Sequence, residues 1–82
     1  MWIRFSDDMG KHVGDREMFE CPVPGDSINL TVTEPIPGEP GQNGVEEAEF
    51  DRYYRVERRQ WIPDCMPING KKIAVLVLLA RR

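Results

Sequence analysis

Between Glu47 and Asp64 the chain reads EAEFDRYYRVERRQWIPD, which places four arginines, two tyrosines and a tryptophan in eighteen positions. Guanidinium groups pair with phosphate or carboxylate and stack on aromatic rings. Arg52, Arg55, Arg58 and Arg59 beside Tyr53 and Trp61 therefore have the chemistry to grip single-stranded nucleic acid or another protein. On a strand, where side chains alternate between faces, Tyr53, Arg55, Arg59 and Trp61 share one outward face. These four are the candidate partner-binding residues. Glu57 falls on the same face, and the chain is acidic, with net charge −3 and a pI near 5.1. Both count against a nucleic-acid footprint, so protein contact is the favoured function and single-strand binding the alternative. A third role for the same residues is purely structural, as cross-strand pairs on a solvated sheet face.

Other reactive residues form no constellation. His12 stands in a glycine-flanked stretch, and nothing in the spacing brings it to Cys65 beside Asp64. One histidine and two cysteines 44 positions apart match no zinc pattern. Asp7-Asp8 reads as a turn, and GKK at Gly70 to Lys72 lacks the rest of a phosphate loop. The expectation is a protein that is not an enzyme, with no catalytic residues, no metal and no cofactor.

Whether the opening stretch is helix or strand decides how it can be used. Glu46 to Glu49 have helical propensity, but the apolar residues from Val45 to Ile62 scatter around a helical wheel. At period two Ala48, Phe50, Tyr54, Val56 and Ile62 share a side, broken by Arg52, Arg58 and Gln60, which predicts a strand with one irregularity or bulge ending at Pro63. Elsewhere Trp2 to Ser6 alternates as a short strand, and EMFEC, Glu17 to Cys21, offers a second. Pro22 to Asp26 is a proline-glycine-aspartate turn, leading into the clean alternation of Ser27 to Thr33. Glu34 to Gly44, with three prolines and three glycines, reads as a stiff exposed loop and a second contact surface. Asn69-Gly70 is a tight-turn dipeptide. Lys72 to Leu79 follows it, apolar on both parities, as expected of a central strand covered on both faces.

Residues 1–82 make a single domain, near the lower size limit for one unaided core. With 40% hydrophobic and 30% charged residues the chain is expected to fold. Residues 1–44 carry 3 basic and 8 acidic side chains, residues 45–82 carry 8 and 6, a polarity that interleaved strands can neutralise. Ile73 to Ala80, the longest apolar run, is far shorter than the ~20 residues of a membrane helix. WIRFSDDMGK has no leader character, so a cytoplasmic location and reduced thiols at Cys21 and Cys65 are expected. The fold class predicted is all-β, a small single-domain antiparallel β-barrel or strongly bent sheet of about five strands, which limits exposed edges.

Laid end to end, PVPGDSINL, YYRVERRQWIPD and KKIAVLVLL resemble a layout that recurs in small phage and prophage proteins of unassigned role. It consists of a proline-glycine-aspartate turn into a strand, a tyrosine-arginine-valine strand and an apolar closing strand. The resemblance spans residues 22 to 79 and implies a small barrel. It also implies a phage-encoded protein that binds a host or phage protein as inhibitor or adaptor, for example an anti-CRISPR or other anti-defence factor. A structural or assembly subunit of a phage particle, able to form homo-oligomers, is a further alternative.

Overall fold

The computed structural model describes residues 1–36 and 46–81. Within them lie five strands: β1 (Trp2–Asp7), β2 (His12–Glu17), β3 (Ser27–Pro35), β4 (Glu47–Ile68) and β5 (Lys71–Arg81). They form one sheet in the order β2-β1-β5-β4-β3. All-β character and the strand number are as expected, but the sheet is mixed: β1 runs parallel to β5, while the other three pairings are antiparallel. Most of the stretch expected as a stiff loop, from residue 37 on, lies outside the described residues.

Alternation explains which side chains enter the core. Ile3 and Phe5 of β1, Leu30 and Val32 of β3, Tyr54 and Val56 of β4, and Val75, Val77 and Leu79 of β5 form one buried cluster. Val13, Met18, Cys21 and Ile28 pack on its margin. A single sheet can surround such a cluster only by curling, and β4 shows that it does. Straight, 22 strand residues would reach about 70 Å, yet the longest dimension of the molecule is 45 Å. β4 gives its first half to β3, from Glu47 to Arg55, and its second to β5, from Tyr54 to Ile68.

Local chemistry sets the turns. Asp7 accepts the amides of Met9 and Lys11 on its carboxylate, each at 2.9 Å, and Gly10 supplies φ 82°. This closes a hairpin so tightly that β2 starts at His12, and Glu17 to Cys21, expected as a strand, is largely loop. At the other hairpin Asn69 and Gly70 have φ 49° and 78°, the two positive angles of a type I′ turn. β4 passes Pro63, the expected end, by swelling outward. Five steps from Trp61 to Met66 match two from Val75 to Ile73, and Cys65 within that swelling has φ 50°.

Of the barrel or strongly bent sheet expected, the described residues form a curled sheet that does not close into a barrel. Among the described residues no ladder joins β2 to β3, and a side chain stands in for it. Val56 donates to Asp26 O, and Ile36 donates to Glu46 O. By alternation the even residues of β3 therefore bond to β4, while Asn29, Thr31 and Thr33 aim their backbone groups at the open edge. Met1 and Met18 exchange both their bonds, so Asp15 aims its carbonyl at the edge of β2 in the same way. The Arg16 guanidinium donates to Asp15 O at 2.8 Å and to Thr31 O at 2.9 Å, one carbonyl from each edge. Gly14 leaves it room, since a Cβ there would lie 3.0 Å from Arg16 Nη1.

Candidate interaction surface

The four residues singled out in the sequence divide between the two faces of the sheet. Tyr53 and Arg55 alternate with the buried Tyr54 and Val56 and face outward. Tyr53 is 61% exposed. The Arg55 guanidinium meets Glu57 at 3.2 Å with both side chains in solvent, a pair that contributes little to stability. Next the register slips: Val56 lies opposite Leu79 but Arg58 opposite Leu78, so Glu57 is an extra residue. Beyond this bulge Arg59 stands opposite Val77 and Trp61 opposite Val75, both core positions, and residues directly opposite share a face. Arg59 and Trp61 therefore turn inward. The single outward face expected for Tyr53, Arg55, Arg59 and Trp61 is not formed.

The inward pair has a structural occupation. Arg59 Nη1 reaches the carbonyls of Cys21 and Pro22 at 3.4 and 3.5 Å, and its guanidinium lies 5.5 Å from the centre of the Trp61 ring. It pins the segment between β2 and β3 over the rim of the core. The same segment is tied to β4 by Gly25 N donating to Val56 O. Trp61 remains half exposed beyond this anchor.

The outward pair borders something that the sequence reading placed indoors. β5 was expected to be covered on both faces. A single sheet covers one, so Val75, Val77 and Leu79 are buried while Leu76 and Leu78 lie on the outer face. Arg4 and Gln60 flank Leu76, and Ser6 and Arg58 flank Leu78. These neighbours screen the leucines only to half-buried. Ala80 continues the strip beside Arg55. The Arg58 side chain makes no hydrogen bond or ion pair among the described residues. The result is a short apolar ridge bordered by Arg4, Arg58 and Arg55, with the exposed Tyr53 two positions before Arg55 on β4.

Two polar clusters brace the margins of the sheet. Arg4 donates to both carboxylate oxygens of Asp15, at 3.0 and 3.2 Å. His12 is at 3.1 Å from the same carboxylate and Lys71 at 3.9 Å, with Lys71 also over the Trp2 ring. The bonds from Arg4, with that of His12, hold the Asp15 carboxyl below its ordinary range despite burial. At the other end Glu34 receives Arg52 at 2.6 Å and Arg81 at 3.2 Å. Arg52 lowers its pKa most, and Glu34 in turn raises that of Arg52. The two thiols are not paired, Cys21 Sγ donates to Pro22 O, and His12 bonds Asp15, so the Cys-His pairing is not made. No cluster of metal-ligating residues occurs among the described residues, and no helix there is long and apolar enough to cross a membrane.

No family model, no curated protein and no solved structure matches the chain.

Proposed function

We propose that this chain is a non-enzymatic protein-binding domain that acts as an inhibitor or adaptor of another protein through the outer face of β4 and β5. The observation that carries this reading is the leucine ridge. Leu76 and Leu78 belong to the central strand, yet nothing among the described residues lies over them. Apolar side chains bordered by arginine and an exposed tyrosine have the make-up of an interface centre with its polar rim. The separation of Trp61 and Arg59 from Tyr53 and Arg55 leaves single-strand binding without one continuous stacking face. If the chain is phage-encoded, as its motifs imply, the partner is a host or phage protein.

The test is an affinity pull-down from bacterial lysate with and without nuclease, followed by titration of the purified partner with Leu78→Glu and Arg55→Glu variants. A nuclease-resistant partner that loses at least about tenfold in affinity for Leu78→Glu, worth about 1.4 kcal/mol, supports the reading. Recovery of nuclease-sensitive material alone, or unchanged binding by both variants, overturns it. Sedimentation of the free protein separates a foreign partner from a second copy of this chain.

A further inference from the structure

We propose that the cavity at the open end of the curled sheet, beside the seam between β2 and β3, binds a small monocarboxylate with an apolar body of about one ring. The cavity has a volume of 240 Å³ and is bounded by residues of all five strands, among them Asp7, Val13, Val32, Glu34, Tyr54 and Arg81. That is just under the roughly 300–1,000 Å³ of sites for drug-sized ligands, which fixes the scale of the guest.

Its floor supplies the polar anchor. Tyr54 is 5% exposed, and its side chain makes no hydrogen bond among the described residues. No side-chain nitrogen or oxygen is both fully buried and without a partner there, so the hydroxyl keeps its access to solvent through the cavity that it lines. A buried tyrosine ordinarily finds a partner for its hydroxyl. Here solvent in the cavity serves the hydroxyl, and a guest that accepts its hydrogen bond can replace that solvent.

The sign of the guest follows from which charges are already spent. Glu34 is held by Arg52 and Arg81, the Asp7 carboxylate by two turn amides, and His12 is engaged with Asp15. Two charged groups of the lining are uncommitted, Lys11 and Asp8. Lys11, exposed at the end of the same turn, borders the cavity and acts on Glu34 as one of the charges that lower its pKa. Asp8 is exposed in the turn. Thr33 adds backbone groups directed to the open edge. A carboxylate can take the Tyr54 hydroxyl and the Lys11 ammonium together, while its ring lies against Val13 and Val32.

The experiment is an NMR titration of the full chain with benzoate, using benzylamine and benzyl alcohol as cationic and neutral counterparts. Saturable shifts at Val13, Val32 and Tyr54, with benzoate binding in the millimolar range usual for so small a ligand, are expected. Tyr54→Phe and Lys11→Gln each weaken benzoate by about threefold to tenfold, and thermal unfolding checks that both variants remain folded. Leu78→Glu, on the other face, binds benzoate as the parent does, which keeps this site separate from the protein-binding surface. No saturable shift with benzoate, tighter binding of benzylamine, or unchanged affinity in both cavity variants overturns the proposal.

Discussion

Arg55 and Arg59 are the same residue type on the same strand, four positions apart, and they do different work. Strict alternation places residues at an even spacing on one face. Glu57 adds a residue that β5 does not match, so Arg55 looks out to solvent while Arg59 looks in and holds two loop carbonyls. The chemistry of a side chain sets what it can do, and register decides which of those things it does.

The sharpest way to test this is to remove residues from either side of the comparison. Deleting Tyr53 slips the first half of β4 against its second, turning Asp51 and Glu49 inward and Phe50 and Arg52 out. A cost of about 2–3 kcal/mol is expected, because Phe50 leaves the inner face and two carboxylates take the half-buried positions of Phe50 and Arg52. Deleting Glu57 instead lets Arg58 follow Val56 directly, still opposite Leu78, so Arg59 and Trp61 keep their inward aim. The expected loss is only about 1 kcal/mol. Urea unfolding of the two deletions measures both, and equal losses would mean that Glu57 is not a tolerated insertion but part of the ladder.

Truncating the two arginines comes next in size. Arg59→Ala should cost about 1–2 kcal/mol, because it frees the segment that carries Cys21 and Pro22, with faster hydrogen exchange in that segment. Arg55→Ala should stay within about 0.5 kcal/mol. Matching losses would dissolve the distinction between them.

The smallest effect concerns Asp15, where the outer face has built its own ion cluster. Its folded-state pKa lies below the unfolded one, first because of Arg4 and then His12. The ionised form is therefore favoured by folding. That contribution is complete above the ordinary aspartate pKa of about 4 and drains away as pH falls through the lower folded value. Asp15→Asn should be less stable than the parent near neutrality, and the gap should narrow below about pH 4. A gap that is constant with pH would show the carboxylate charge to be without influence.

Much of the architecture could be read directly from residue types. Ile3, Phe5, Leu30 and Val32 declared their faces by alternation, and Asn69-Gly70 and Pro24-Gly25-Asp26 declared their turns, because these signals are local. Position 57 carries no such signal: a glutamate on a strand looks the same whether or not the opposite strand has a residue to match it. The start of β2 was hidden for a related reason, since the hairpin depends on the Asp7 carboxylate meeting two amides rather than on any apolar pattern in His12 to Glu17. Leu76 and Leu78 misled in the opposite way. Apolar residues on both parities do mark a central strand, but they say nothing about how many layers the fold can build from 82 residues. The parallel pairing of β1 with β5, the bridge made by Arg16 and the cavity under Tyr54 all depend on contacts between distant segments.

That parallel pairing also governs when the protein can acquire its shape. β1 with β2, and β3 with β4, can form as separate hairpin-like units, but β5 is the strand that lies between them and joins one to the other. A ribosome delivers β5 after the other four. Until then Ile3 and Phe5 have no Val75 or Val77 to meet, and four strands wait with apolar faces and edges uncovered. Joining Ile3 to Val75 also closes the largest loop in the chain, a slow step in chains dominated by distant contacts. The nascent protein must therefore spend its most aggregation-prone interval just before β5 arrives, and in the cell its yield should depend on how quickly that interval is passed.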